Sequence, residues 1–274
     1  QRNVAVLQTD GIHVVGPNEG EMAERNEAGR GRMAEPHEIL AAIEKLWGDE
    51  TANNIAAAEP LAGRHVLITA GPPHEAIAPE RYIANRSSGQ QGFAIAAAAA
   101  QAGARVTLVA GPVSLPTPRG VTRVDVQTAR EMLAAVETVL PADVAIMVAA
   151  VADWRAADEA GQKLKKDGSG QPAPLALTEN PDILATLARH AQRPGLLIGF
   201  AAETETVVDH AIAKRARKGA DWIVANDVSG DVMGGANNSV HLISAQGVED
   251  WPDMPKAAVA TRLIERIADE LARR

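Results

Sequence analysis

From Arg64 onward, short aliphatic runs alternate with longer segments of helical periodicity, and this alternation restricts the fold more than any other feature of the sequence. Short buried strands separated by helices are typical of a parallel sheet with helices on both faces. The predicted strands are His65–Thr69, Val106–Val109, Val144–Ala149, Leu196–Phe200 and Trp222–Ala225, and the predicted helices are Gly92–Ala102, Ala129–Leu140, Pro181–His190 and Val207–Arg217. A β-like pair, Val240–Ile243 with Val248–Trp251, and a helix from Lys256 to Ala272 follow. The sequence therefore predicts a doubly wound α/β domain.

The first 47 residues have a different pattern. Val4–Leu7 and Ile12–Val15 are β-like, the segment from Gly16 to Met33 is predicted to be a loop, and a helix is predicted from about Pro36 to Trp47. Two short strands and one helix cannot enclose a core, so we expect residues 1–47 to be a fragment of a larger domain. Residues 48–62 are predicted to be a linker, and residues 63–274 the main domain.

Composition excludes several classes of function. The formal net charge of −8 disfavours general binding to nucleic acid, because an acidic surface repels phosphate backbones. The absence of cysteine excludes disulfides, thiolate nucleophiles and zinc–thiolate sites. No apolar run is long enough to cross a bilayer, so we expect a cytoplasmic protein without a membrane partner.

Ligands of doubly wound sheets bind at the carboxyl ends of the strands, so the loops after the strands are the candidate sites. Ser87, Ser88 and Gly89 precede the first helix and can offer hydroxyl and backbone N–H donors to a phosphate. The alternative is an ordinary capped helix with a tight entry turn. The dinucleotide pattern of glycines is missing, and no acidic residue follows the second strand, so a nicotinamide-binding function is disfavoured.

Later loops contain further candidates. Asp153 could bind ribose or a metal, or could cap a helix. The run Lys163-Leu164-Lys165-Lys166 could close over a polyphosphate, although such runs are more often solvated. Phe200 could contact a base or could belong to the core, and Lys214 and Lys218 lie one helical turn apart. Asn180-Pro181-Asp182-Ile183 could be only a helix start. No zinc spacing of histidines and no Gly-x-Ser-x-Gly elbow is present.

Taken together, these segments resemble the bacterial phosphopantothenate–cysteine ligase family. The similar motifs occur in the family's order over nearly all of residues 62–274: Ile83-Ala84-Asn85-Arg86-Ser87-Ser88-Gly89, Ala149-Ala150-Val151-Ala152-Asp153-Trp154, Lys163-Leu164-Lys165-Lys166, Asn180-Pro181-Asp182-Ile183, Gly199-Phe200-Ala201-Ala202-Glu203-Thr204 and Ala225-Asn226-Asp227-Val228-Ser229. The resemblance implies a Rossmann-like fold. It also implies that CTP activates 4′-phosphopantothenate as an acyl-cytidylate, which cysteine then attacks.

The resemblance also implies roles for individual residues. Asn85 would orient the substrate for attack by cysteine, and Lys163 would stabilise the charged transition state. The CTP site would comprise Ala149, Asp153, Lys163, Asn180, Pro181, Asp182, Ile183, Phe200, Lys214 and Lys218, and Ser87, Ser88 and Gly89 would bind phosphate. Mg²⁺ is expected with the triphosphate, and family members pair as homodimers. The specific metal ligands are not indicated.

Residues 1–47 resemble the end of the flavodoxin-like, FMN-dependent phosphopantothenoylcysteine decarboxylase that is fused ahead of the ligase in many bacteria. Glu24 or Arg25 stands where many members have the catalytic cysteine, and most of the flavin-binding domain has no counterpart in this sequence. We therefore expect neither decarboxylase activity nor tight FMN binding. In the ligase region Pro73, Ala78 and Gln90 replace a common Thr, Asp and Lys, which affects the details of phosphate contact. The alternatives are a nicotinamide-dependent oxidoreductase and a non-catalytic nucleotide-binding module.

Overall fold

The computed structural model divides the chain into two compact units, residues 1–58 and 59–274. It describes Val4, Leu7 and Ala42 singly, and residues 12–21, 28–36, 38–40, 59–165, 174–203, 205–227 and 237–274. The predictions made for Glu24, Arg25, Lys166, Val228 and Ser229, and most of the predicted linker, lie outside this part of the chain.

The first unit corrects the secondary structure predicted at the N-terminus. Two antiparallel strands, β1 (Asn18–Glu21) and β2 (Ala28–Arg32), lie in the segment predicted to be a loop. Val4 and Leu7 are helical rather than extended, and Ile12–Val15 is not a strand. Aliphatic runs this short fit either structure, so their pattern did not decide between them. The described residues of the predicted helix, Pro36, 38–40 and Ala42, are helical.

The second unit is built on one eight-stranded sheet, and this confirms the predicted α/β class. Its strands are β3 (His65–Ala70), β6 (Arg105–Ala110), β7 (Val121–Asp125), β8 (Val144–Met147), β11 (Leu196–Glu203), β12 (Trp222–Asp227), β13 (Asn237–Ser244) and β14 (Gly247–Pro255). The strand order is β14-β13-β12-β11-β8-β3-β6-β7. The six strands from β12 to β7 are parallel, whereas β13 is antiparallel to both β12 and β14.

Five helices cover the two faces of this sheet: α1 (Gln90–Gln101), α2 (Ala129–Val139), α3 (Ile183–Ala188), α4 (Val207–Lys218) and α5 (Lys256–Arg273). Successive residues of a strand point to opposite faces, so Val66 and Ile68 pack with α1 and α5 while Leu67 packs with α2 and α3. The core is mainly aliphatic on both sides, with Phe93, Trp222 and Trp251 as aromatic members on the side of α1 and α5. This is the arrangement that near-continuous apolar strands of a parallel sheet require.

Two hairpins that were not predicted project from the loops. They are formed by β4 (Glu75–Ala78) with β5 (Arg81–Ile83), and by β9 (Trp154–Ala156) with β10 (Leu177–Glu179). These strands are short, and several of their residues are exposed, so they lack the apolar runs that reveal central strands. No helix within the described residues is long and apolar enough to cross a membrane.

Candidate functional site

The candidate site lies between β3 and β8, where the order in which strands are added to the sheet reverses. From β3 the chain adds β6 and β7 on one side, and it then crosses back to add β8, β11 and β12 on the other. Helices after β3 and β8 therefore leave toward opposite sides, and the carboxyl ends of these two neighbours open into a crevice. Backbone bonds hold the crevice floor, since Val148 N donates to Thr69 O (3.2 Å) and Ala150 N donates to Gly71 O (3.1 Å).

Two adjoining cavities occupy this edge of the sheet, with volumes of about 440 and 640 Å³. Each is of the size that small-molecule sites usually have. They have five residues in common, which we call the shared wall: Ala149, Val151, Asp153, Phe200 and Lys214. A group bound in one cavity can therefore meet a group bound in the other.

The smaller cavity is lined by the segment that precedes α3. Asn180 is fixed there by two hydrogen bonds, because its backbone N donates to Asp153 O (2.8 Å) and its Nδ2 donates to Ala152 O (2.8 Å). Asn180 Oδ1 is buried and accepts no hydrogen bond within the described structure. A buried acceptor without a donor is costly, so this atom is suited to accept a hydrogen bond from a ligand.

Asp182 links this segment to α4. Its Oδ1 accepts a hydrogen bond from Ala185 N (3.0 Å) and caps α3, while its Oδ2 pairs with Lys218 Nζ. Partial burial would by itself raise the pKa of Asp182, but the bonds from Lys218 and Ala185 outweigh it and hold that pKa below its ordinary value. Asp182 therefore stays ionised and fixes Lys218 at the cavity.

Lys214 reaches the shared wall one helical turn before Lys218. Its Nζ donates to Phe200 O (2.9 Å), which ties the ammonium group to the end of β11. The predicted residues of the nucleotide site thus come together, since Asn180, Pro181, Asp182, Ile183 and Lys218 line the smaller cavity and Ala149, Asp153, Phe200 and Lys214 line both.

The larger cavity is bounded by the start of α1. Gly89 adopts φ +74°, and a Cβ there would lie 3.1 Å from Val113 Cγ1, so a glycine suits this entry turn best. Ser87 Oγ accepts a weak hydrogen bond from Gly89 N (3.4 Å), and Ser88 Oγ accepts one from Gln90 N (3.5 Å). Both serines line the cavity. Their hydroxyls accept hydrogen bonds within the turn before α1, which is the arrangement expected of an ordinary helix start with a tight entry turn.

Asn85 lies on the wall of the same cavity. Its Nδ2 donates to Val151 O (3.0 Å), so the side chain connects the segment after β5 with the shared wall. Among the predicted residues, Asn85 is therefore positioned beside the place where ligands of the two cavities would meet.

Lys163 is the one predicted site residue that lines neither cavity. It is exposed, in the described part of the loop after β9. That loop lies against the first hairpin, because Ala160 N donates to Ile77 O (3.0 Å) and Arg81 Nη1 donates to Leu164 O (3.4 Å). The hairpin leads directly to Asn85, so loop and cavity border the same segment although the lysine remains outside.

Sequence reasoning missed functional candidates at the antiparallel end of the sheet. Asn238 and Lys256 line the larger cavity, yet neither follows a parallel strand. Because β13 is antiparallel to β12, the first residues of β13 lie beside the carboxyl ends of the parallel strands. The end of β14 lies there too, since Pro255 pairs with Asn237. The sequence signal that could have found these residues was the β-like pair after the last parallel strand, because such a pair predicts a change of strand direction at this end of the sheet.

Three acidic residues, Asp153, Glu179 and Asp182, line the smaller cavity, and Asp153 also lines the larger one. The carboxylate common to both is that of Asp153, which is exposed. Among the described residues, no group of three or more His, Cys, Asp or Glu side chains is placed to hold a metal ion. Lys214 and Lys218 are the groups of the smaller cavity that could bind an anion.

Comparison with known proteins agrees with this architecture. A family profile described as "DNA/pantothenate metabolism flavoprotein C-terminal domain" matches residues 61–271. The coenzyme A biosynthesis bifunctional protein CoaBC of Haemophilus influenzae is 42% identical over 271 residues, which are 98% of this chain and 65% of that protein. CoaBC of Escherichia coli K12 is 43% identical over 281 residues and matches 100% of this chain and 67% of its own length. This chain thus spans about two thirds of the length of these curated relatives.

Solved structures share the fold. The crystal structure of the C-terminal domain of a CoaBC protein aligns with a TM-score of 0.68 at 38% identity and covers 79% of this chain and 100% of that one. A Cab2 variant in complex with phosphopantothenate-cysteine aligns with a TM-score of 0.60 at 15% identity, over 84% of this chain and 94% of that one. At that identity the similarity concerns the fold alone.

Proposed function

This chain belongs to the family of the DNA/pantothenate metabolism flavoprotein C-terminal domain, and from that premise we propose that it is a CTP-dependent phosphopantothenate–cysteine ligase. The reaction would join 4′-phosphopantothenate to cysteine in coenzyme A biosynthesis. The names of the relatives, CoaBC, support the pathway.

The proposed chemistry has two steps. A carboxylate oxygen of 4′-phosphopantothenate attacks the α-phosphorus of CTP, the bond to the β-phosphate breaks, and pyrophosphate leaves. The amine of cysteine then attacks the acyl carbon, the bond to CMP breaks, and a proton is released from the new amide nitrogen. Neither step needs a protein nucleophile, so the protein contributes mainly positioning and charge neutralisation.

One observation carries this proposal: two cavities of ligand size adjoin at a common wall. In our assignment CTP occupies the smaller cavity and the acyl substrate the larger one. The α-phosphorus and the carboxylate would then meet beside Asn85, Asp153 and Lys214. Lys214 and Lys218 would neutralise the triphosphate, and Ser87, Ser88 and Gly89 would bind phosphate in the larger cavity.

Base recognition in this proposal uses Asn180. Its buried Oδ1 lacks a donor within the described structure, and the exocyclic amine of cytosine would supply one. Adenine also has such an amine, so discrimination between the two bases would depend on the shape of the cavity. Phe200 would contact the base or ribose from the shared wall.

Mg²⁺ would enter with the triphosphate in this proposal. Mg²⁺ is usually bound through one or two carboxylates, substrate phosphates and water, and Asp153 at the shared wall fits that donor set. The ion would neutralise phosphate charge. FMN would belong to the decarboxylase part of such bifunctional proteins, and decarboxylation is not part of the proposal.

We further propose that the protein is a homodimer. This proposal is supported by exposed apolar side chains on the two hairpins, namely Tyr82, Trp154 and Leu177. Burial of such side chains in an interface with a second subunit would be favourable. Sedimentation at several concentrations measures the assembly directly, and a monomer at all of them would contradict it.

A pyrophosphate-release assay tests the ligase function. We expect release that requires both CTP and 4′-phosphopantothenate, with formation of the amide on addition of cysteine. A nicotinamide-dependent oxidoreductase or a non-catalytic nucleotide-binding module would release none. Replacing CTP by ATP in the same assay measures base preference, and equal rates would contradict the proposed selectivity for CTP.

A further inference from the structure

We propose that Lys256 binds the terminal phosphate of the acyl substrate and thereby selects the phosphorylated acid over its unphosphorylated form. This assignment rests on the proposed function, which it deepens by naming the residue that recognises one end of the substrate. It concerns the larger cavity and a residue outside every motif of the predicted site.

Lys256 is one of the cations of the larger cavity. It is partly buried at the cavity wall, and among the described residues no acidic group forms an ion pair with it. The first turn of α5, which Lys256 begins, contains no acidic residue, and neither does that of α1 across the cavity. Desolvation by burial lowers the pKa of Lys256 below its ordinary value, because no counterion compensates it. An anionic ligand would supply that counterion.

Lys256 lines the larger cavity outside the shared wall, where the distal end of the substrate would lie in this proposal. 4′-Phosphopantothenate has its carboxylate at one end and its phosphate at the other. The carboxylate must reach the shared wall to attack the nucleotide, whereas Lys256 lines the larger cavity only. A cation that is absent from the smaller cavity is therefore placed for the distal phosphate rather than for the triphosphate.

Two amide side chains hold Lys256 in place. Gln91 Nε2 donates to Lys256 O (3.2 Å), and Asn238 Nδ2 donates to Gln91 Oε1 (3.0 Å). Asn238 is buried, with a relative exposure of 6%, and the chain of bonds joins β13, α1 and α5 at the cavity wall. It fixes the backbone from which the ammonium group extends and leaves Nζ to bind a ligand.

The test compares binding of 4′-phosphopantothenate, pantothenate and CTP to Lys256→Met by titration calorimetry. We expect affinity for 4′-phosphopantothenate to fall by about tenfold or more, the size of one charge-assisted hydrogen bond, with pantothenate and CTP unchanged. In steady-state assays KM for 4′-phosphopantothenate should rise while kcat at saturation is retained. Lys256→Arg should recover much of the affinity.

Arg273→Gln is the matched control, because it removes one positive charge from the exposed opposite end of α5. Equal affinity of wild type and Lys256→Met for 4′-phosphopantothenate, equal losses for pantothenate, or a loss confined to CTP would each overturn the assignment while ligase activity in the wild type stands. If the wild type releases no pyrophosphate, the proposed function fails and this inference fails with it.

Discussion

Asn85 reaches the shared wall through a single hydrogen bond, from Nδ2 to Val151 O. An aspartate at this position cannot donate that bond, and its charge would repel the carbonyl oxygen and an anionic intermediate. We expect Asn85→Asp to slow the addition of cysteine more than the activation step, as measured by single-turnover assays of each step. Asn226→Asp places the same charge in the same cavity and serves as the control. Equal loss in both steps, or the same pattern in the control, would contradict the orienting role.

Lys163 lies outside both cavities, whereas its expected role requires contact with the triphosphate. We expect Lys163→Gln to abolish pyrophosphate release, because in its proposed role this lysine neutralises the charge that develops on the departing pyrophosphate. Lys165→Gln, an exposed lysine in the same loop, should have a much smaller effect. Pyrophosphate release by Lys163→Gln at the wild-type rate would refute the role.

At the scale of elements, α1 approaches β3 closely because Gly92 has no side chain. A Cβ at Gly92 would lie 2.6 Å from Ala70 Cβ and 3.3 Å from Thr69 O, and neither neighbour is a flexible side-chain end. We expect Gly92→Ala to lower the free energy of unfolding by about 1–3 kcal/mol in urea denaturation, despite the better helix propensity of alanine. Gly161→Ala meets no atom within 4 Å and should change it by less than about 0.5 kcal/mol. Equal stability of the two variants would contradict the close packing.

Glu249 joins α5 to β14. It accepts hydrogen bonds from Trp251 Nε1 (2.8 Å), Arg262 Nη2 (3.1 Å) and Arg266 Nε (3.0 Å). The guanidinium of Arg262 also lies 4.8 Å from the centre of the Trp251 ring. Desolvation alone would raise the pKa of Glu249, but these donors outweigh it and hold the pKa below the ordinary value of 4.5. The carboxylate is therefore bound more favourably in the folded chain than in the unfolded one.

A group with a depressed native pKa stabilises the fold above its unfolded pKa, and this contribution is lost as the pH falls through the native value. We expect Glu249→Gln to lower the free energy of unfolding by about 1 kcal/mol at neutral pH, because these side chains are about one-third exposed and water screens the pairs. The difference from wild type should shrink as the pH is lowered below 4.5, measured by urea denaturation. Glu270→Gln, which breaks a surface pair with Arg274, is the control. A difference that is independent of pH would contradict the ionic contribution.

At the scale of the whole molecule, every residue that lines the two cavities belongs to the unit of residues 59–274. We expect a fragment of residues 59–274 to fold and to release pyrophosphate at the rate of the full chain, since its core and its crevice are complete within it. Circular dichroism and the same release assay measure both properties. A folded but inactive fragment would show that residues 1–58 contribute to the site.

The class of the second unit and most of its elements were predictable from the sequence. Aliphatic strands and amphipathic helices differ in period, and buried parallel strands leave continuous apolar runs, so β3, β6, β8, β11 and β12 were all predicted. The rule that loops after parallel strands form the site then led to Ser87 and Asp153, while helical spacing indicated Lys214 and the family resemblance indicated Asn85; the structure brings all four to one edge. The short hairpins escaped prediction because exposed strands of three or four residues have no apolar pattern.

Which of these residues meet could not be predicted from separate segments, because proximity depends on strand order and direction rather than on distance along the chain. The order of β8, β3 and β6 places the crevice, and the reversal at β13 brings Lys256 to the same cavity as Ser87. The same packing leaves Lys163 outside, in a loop whose Leu164 contacts the hairpin of β4 and β5. Local sequence records the preferences of each segment, whereas a site is assembled by long-range contacts that no single segment contains.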